Sequence, residues 1–207
     1  MTAASSPGPF APGQSPFRVK GVTYRNFWDF VAERVPGGRA AVLEQLRDPA
    51  LRAFAEQTFL PSSFYDTLPT VLMCQAAATV ARLPSNEFVR ELSRYSVERD
   101  TKGVYRFLLR LASPGMIMER TPAAARQYFN FVQASVEKVG PKSYRTRAHG
   151  IPEFLAQFYM TVTEAFLRHA LTLAGARNVQ NQWGRPEPDG DREGVPLVVV
   201  QRQMSWD

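Results

Sequence analysis

The sequence predicts an α+β fold: a mainly helical N-terminal part, then an antiparallel sheet packed on a long helix. Three observations predict it. From about residue 23 to 129, apolar residues recur at helical spacing; from 132 to 149 they alternate. Then one broad apolar stripe fills 152–174 and two extended segments close the chain. Helices followed by clustered strands indicate α+β rather than βαβ winding. No period of roughly 20 to 50 residues repeats.

Residues 1–16, "MTAASSPGPFAPGQSP", are rich in Pro, Gly, Ser and Ala. Such a segment buries too little surface to order itself and reads as a disordered tail. The rest, 17–207, reads as one domain, mainly helical over 17–131 and hairpin, helix, hairpin over 132–207. In "TYRNFWDFVAERV", Phe27, Val31 and Val35 share a helical face with Phe30 beside them, and Pro36-Gly37-Gly38 ends it. A second helix, 39–47, carries Val42, Leu43 and Leu46. Asp48-Pro49 reads as an N-cap with Pro at the first helical position of a third. The next helix, 68–83, is almost wholly apolar and small from Val71 to Ala81, so it is expected to be buried on most sides. Ser85 caps a helix with Phe88, Val89, Leu92 and Tyr95 inward, which continues or kinks near Gly103 and stops at Ser113-Pro114. Thr121 caps a further helix over 122–129.

"VQASVEKV", the turn "GPK" and "SYRTRAHG" read as a β-hairpin. On the long helix that follows, Phe154, Leu155, Phe158, Tyr159, Val162, Phe166 and Leu173 form the stripe, and Gly175 stops it. "RNVQNQW" and "VPLVVVQRQMSW" are the closing strands, joined by a polar loop, "GRPEPDGDREG".

Composition sets limits on function. The chain has 207 residues, 44% hydrophobic, with 14 Phe, 7 Tyr and 3 Trp. Net charge is +6, and of 25 basic residues only Lys20, Lys102, Lys138 and Lys142 are Lys. An Arg-rich, Ala-rich balance also follows from a GC-rich genome, so charge-driven nucleic-acid binding is disfavoured. The single cysteine, Cys74, allows neither an internal disulfide nor a cysteine-based zinc site and fits a reducing cytoplasm. No run of about 18 apolar residues and no charged-then-apolar leader occurs.

The stretch "VKGVTYRNFWDFVAERV" resembles the opening of haem nitric-oxide-binding domains. The closure "GARNV", strand, loop, strand ending in Trp resembles vinyl-reductase-like domains. Both belong to a TRAPP-like superfamily, and "YRFLLRLASPG" with "GARNV" resembles a myxobacterial domain family of unknown function. The resemblance covers residues 18–206. It implies a sensor scaffold, with haem held by a helical His and by a Tyr-x-Ser-x-Arg motif. Here "ERTPAAARQYFNF" has no His, "SYRTRA" departs from the motif's spacing, and the closing loop lacks the cysteines of vinyl-reductase-like members. No cofactor, metal or catalytic group is therefore expected. No nucleophile elbow, P-loop or dinucleotide fingerprint occurs. His149, at the hairpin exit, and His169, on the long helix, share no metal-ligand spacing. Cys74 reads as inert packing.

Two surfaces remain. Arg99, Lys102, Arg106 and Arg110 fall on one helical stripe, with Arg90 and Arg94 upstream, and Arg145 and Arg147 share one face of the hairpin. Read functionally, they are a docking stripe for an acidic partner; otherwise they are a solvated face. Phe129, Phe131, Phe154, Phe158, Tyr159 and Phe166 are the candidate wall of an apolar pocket, or plain core. The expectation is a non-enzymatic signalling or scaffold domain acting by protein binding, with self-association through an edge strand or the closing helix. The alternatives are a sensor of an apolar small molecule under helix 152–174, and nucleic-acid binding through the Arg stripe.

Overall fold

In a computed structural model of the chain, residues 9–100 and 112–207 are described. The chain divides into two compact units, Met1–Ser96 and Val97–Asp207. Among the described residues no helix is long and apolar enough to cross a membrane.

The first unit holds β1 (Arg18–Lys20), α1 (Val22–Arg34), α2 (Gly38–Gln45), α3 (Pro49–Glu56), β2 (Phe64–Asp66), α4 (Pro69–Ala81) and the start of α5 (Ser85–Asp100). β1 pairs antiparallel with β2, a ribbon that sequence patterning does not predict because each strand has only three residues. α1 buries Tyr24, Phe27, Trp28, Phe30 and Val31. Phe30 meets Phe88 edge to face at 5.3 Å, while Tyr24 stacks on Phe59 at 4.3 Å. Asp48 caps α3 by accepting from the Ala50 and Leu51 amides. α4 buries one face, Thr70, Met73, Cys74, Ala77 and Ala78, and exposes Gln75 and Thr79. Its expected burial on most sides is corrected: Val71, Leu72, Ala76 and Val80 remain partly open.

Part of the expected tail is ordered. Ser15 is fully buried, and the Asp66 carboxylate accepts from the Gly13 and Ser15 amides and from the Ser15 hydroxyl. Residues 9–16 are thereby tied to the strand that ends at Asp66, because a buried acceptor from far along the chain supplies what their composition lacks. A cavity of about 10 Å³, room for roughly one water, lies beneath this segment against Leu51, Asp66, Leu68 and Leu72.

The second unit carries α6 (Pro114–Glu119), α7 (Thr121–Tyr128), β3 (Gln133–Gly140), β4 (Ser143–Pro152), a 3₁₀ turn (Glu153–Leu155), α8 (Ala156–Leu173), β5 (Gln180–Trp183), β6 (Glu187–Arg192) and β7 (Val195–Ser205). Ser113-Pro114, expected only as a stop, starts α6: the Ser113 hydroxyl accepts from the Met116 amide. The antiparallel sheet runs β3-β4-β7-β5, with β6 also on β7. β6 lies in the stretch expected to be a loop. "EPDGDR" has no strand pattern of its own; β7 supplies its partners, in a ladder broken by a bulge around Gly190. Gly175 ends α8 at φ +94°. Ile117, Met118, Tyr144, Leu167, Leu171, Val179 and Met204 form the core between α8 and the sheet.

Candidate functional site

The strand register assigns the residues of the sheet's inward face. Val136 pairs with Thr146, Thr146 with Arg202, and Arg202 with Trp183. On the central strand β7, Val200, Arg202 and Met204 point into the layer under α8, while Gln201 and Gln203 are exposed on the opposite face. A guanidinium thus occupies the middle of an otherwise apolar row. Arg202 is only 4% exposed. Its Nε donates to the Thr146 hydroxyl at 3.0 Å and its Nη1 to the Thr163 hydroxyl at 3.4 Å. The Trp183 ring lies 4.8 Å from the guanidinium carbon, within cation–π range. Burial lowers the Arg202 pKa to about 10, so the group stays charged at neutral pH.

Glu164 on α8 is the nearby acid that the field of Arg202 registers, but its oxygens are taken by others. Oε2 accepts from Asn181 Nδ2 and from Trp183 Nε1, each at 2.9 Å. Oε1 accepts from Arg168 Nη2 at 3.1 Å, and Arg168 also donates to the Val179 carbonyl. Asn181 Oδ1 is enclosed and has no partner. Tyr159, buried on the same helix, has its pKa raised by burial, with Arg202 opposing.

A second polar group sits at the bulge of β4. Asp189 on β6 accepts from the Gly150 amide at 2.8 Å and meets His149 Nδ1 at 3.0 Å. The His149 hydrogen bond, against a smaller opposing burial effect, holds the Asp189 pKa below its ordinary value. A carboxylate with a depressed folded pKa adds stability above its unfolded pKa of about 3.9 and loses it as pH falls through the folded value. We therefore expect the stability gap between wild type and Asp189→Asn to shrink as pH falls from about 4 toward 2. Urea titrations at stepped pH check this; a gap that persists undiminished at pH 2 refutes the assignment.

The residues singled out from the sequence are scattered. Arg99 lies in the last turn of α5 and has an interaction of its own. Lys102, Arg106 and Arg110 lie outside the described residues. Arg145 and Arg147 are exposed on the sheet's outward face, paired with Glu137 at 3.3 Å and Glu187 at 3.8 Å. The six aromatics fall at several places in the second unit. Phe129 touches Phe131 and Tyr159, each at 5.6 Å between ring centres. Phe154 falls on the 3₁₀ turn before α8 and is exposed; Phe158 is buried, and Phe166 packs two turns further on, against the Leu167 and Leu171 cluster. His169 is half-buried on α8. Arg202, Trp183 and Glu164 are not among the residues that the sequence singles out, although the run Val200-x-Arg202-x-Met204 between outward glutamines carries the signal.

No family model matches the chain, and no curated protein matches it. Solved structures do. A substituted H-NOX from T. tengcongensis matches with a TM-score of 0.64 at 9% identity, over 91% of this chain and 97% of that one. A Cs H-NOX variant matches equally well, at 0.64 and 9%, over 91% and 96%. An oxygen-binding H-NOX domain related to soluble guanylate cyclases, in its oxygen complex, gives 0.61 at 8%, over 90% and 92%. The chain has the H-NOX fold.

The described donors do not fit a haem. His149 stands half-exposed at the β4 bulge against Asp189, and His169 is half-buried on α8. Burial pushes the Cys74 thiol up, so it stays protonated. Tyr144, Thr146 and Ala148 share the inward face of β4, so Ala stands where Tyr-x-Ser-x-Arg has Arg, while Arg145 and Arg147 face outward. Among the described residues no three His, Cys, Asp or Glu cluster around a point that could hold a metal.

Proposed function

We propose that this chain is a non-enzymatic sensor domain that binds a small molecule in the layer between α8 and the sheet and passes its state to a protein partner. The observation that carries this is the layer itself. Its centre keeps a charged side chain and an orphaned amide oxygen where a plain core would hold aliphatics. The fold belongs to proteins studied for their activation, and the donor set argues against haem as the ligand. Protein docking through the basic residues ranks below this, since Arg145 and Arg147 are already paired with acids.

Native mass spectrometry of the gently purified chain is the test. The expected spectrum contains an adduct of a few hundred daltons that is lost on denaturation, with no absorbance band beyond the protein range. A bare chain in every preparation, together with no uptake from a panel of small apolar and amphipathic compounds, removes the reading. A tetrapyrrole band overturns the exclusion of haem.

A further inference from the structure

We propose that Arg202 is the recognition group for the carboxylate of a small organic acid whose apolar body lies beneath the middle of α8. The inference rests on the sensor reading and deepens it by naming the ligand's chemistry.

The first ground is unused bonding capacity. Of the five N–H groups of a guanidinium, Thr146 and Thr163 take two, and the others meet no protein acceptor among the described residues. No carboxylate pairs with Arg202 there, because Glu164 spends its oxygens on Asn181, Trp183 and Arg168. A largely buried charge with no counter-ion is a standing cost, and an apolar side chain of the same length would serve packing better. Keeping such a group at the centre of a core is the signature of a site that gives up stability for function.

The second ground is access. No Arg202 nitrogen is among the fully enclosed polar atoms that lack a partner, whereas Asn181 Oδ1 is. α8 is buried at Phe158 and Tyr159 and again at Leu167, yet every residue from 160 to 166 is half-exposed. Thr163 is among them although its hydroxyl reaches Arg202, so the layer is not sealed at that point. Met160, Val162 and Phe166 give this stretch its apolar character.

The third ground selects the anion. Trp183 on one face and two threonine hydroxyls hold the guanidinium still, which suits a planar carboxylate. A dianionic phosphate needs more positive charge than is present. Arg168 is committed to Glu164 and Val179, and Glu164 subtracts from the field of Arg202.

The experiment is a thermal-shift and calorimetric titration of the full chain with sodium octanoate, n-octanol and inorganic phosphate. Octanoate is expected to raise the melting temperature and to bind at least tenfold more tightly than n-octanol, with phosphate giving no shift. Arg202→Met is expected to melt at or above the wild-type temperature without ligand and to lose the preference for octanoate over n-octanol. Equal affinity for octanoate and n-octanol in the wild type overturns the carboxylate assignment while leaving the sensor reading standing. So does an Arg202→Met variant that retains the preference. A tighter response to phosphate than to octanoate also overturns the assignment. No binding of any probe, with no co-purified adduct, removes both readings together.

Discussion

Asp66→Ala is expected to destabilise the first unit by about 4 kcal/mol and to open residues 9–17 to proteases. The carboxylate is 1% exposed. One oxygen accepts from the Gly13 and Ser15 amides at 2.9 and 3.1 Å, the other from the Ser15 hydroxyl at 2.5 Å and the Leu68 amide at 3.0 Å. Hydrogen bonds to a charged acceptor are worth about 1.5–3 kcal/mol each, and donors left buried without a partner cost a further 1–3. Simple addition exceeds the expected effect, because the 9–16 segment can peel away and rehydrate its amides. Its release also recovers chain entropy of about 1 kcal/mol or more per residue. Asp66→Asn isolates the charge: it keeps one acceptor oxygen but turns an NH₂ toward two donors, so an intermediate loss is expected. Ser15→Ala removes the hydroxyl's bond to Asp66 and, with it, the acceptor of the Phe17 amide at 3.3 Å, for about 1–2 kcal/mol. Thermal unfolding and limited proteolysis with mass mapping check the series. A loss under about 1 kcal/mol for Asp66→Ala, with no new cleavage before residue 18, shows that the leader is held by something else.

This contact also shows what a single sequence can and cannot carry. α1 and α8 are legible because their apolar residues repeat over several turns, so the signal lies within the element. The hairpin of β3 and β4 is legible for the same reason at period two. β1, β2 and β6 are not: three-residue strands and "EPDGDR" owe their form to pairing partners elsewhere in the chain. The order of the leader depends on an acceptor 51 residues downstream of Ser15, which composition cannot report. α6 is hidden because Ser113-Pro114 reads equally as a stop and as a start. In the candidate site the position of Arg202 is legible, since alternation alone points it inward with Val200 and Met204. Its lack of a counter-ion is not, because that depends on Asn181, Trp183 and Arg168 having claimed Glu164. The Arg145 and Arg147 pair shows the converse: spacing places both on one face, but not that Glu137 and Glu187 stand 3.3 and 3.8 Å from them in exposed ion pairs.

Gly21→Ala is expected to cost about 3 kcal/mol or more, although the backbone there is ordinary. Gly21 has φ −62°, which any residue adopts, so conformational strain plays no part. The obstacle is space. An added Cβ would lie 2.1 Å from the Leu60 carbonyl oxygen and 2.7 Å from a ring carbon of Tyr65. Neither neighbour can yield cheaply. The Gly21 amide donates to the Ser63 carbonyl at 2.8 Å, and the Val22 amide to the Pro61 carbonyl at 3.2 Å. The Leu60 amide donates to the Tyr65 hydroxyl at 2.8 Å, and the Tyr65 ring packs on Phe59 at 4.9 Å. Relieving the clash pushes the 60–65 segment off β1 and disturbs the ring cluster around Tyr24, so several net hydrogen bonds of about 1 kcal/mol each are at stake alongside overpacking of about 1–3 kcal/mol. Gly175→Ala is the control. There φ is +94° with nothing within 4 Å of an added Cβ, so only backbone strain of about 1–2 kcal/mol is expected. Urea unfolding of both variants, followed by far-ultraviolet circular dichroism, compares crowding with strain. Equal losses at the two positions would mean that the 60–65 segment moves aside freely, and that its bonds to β1 hold far less than their geometry implies.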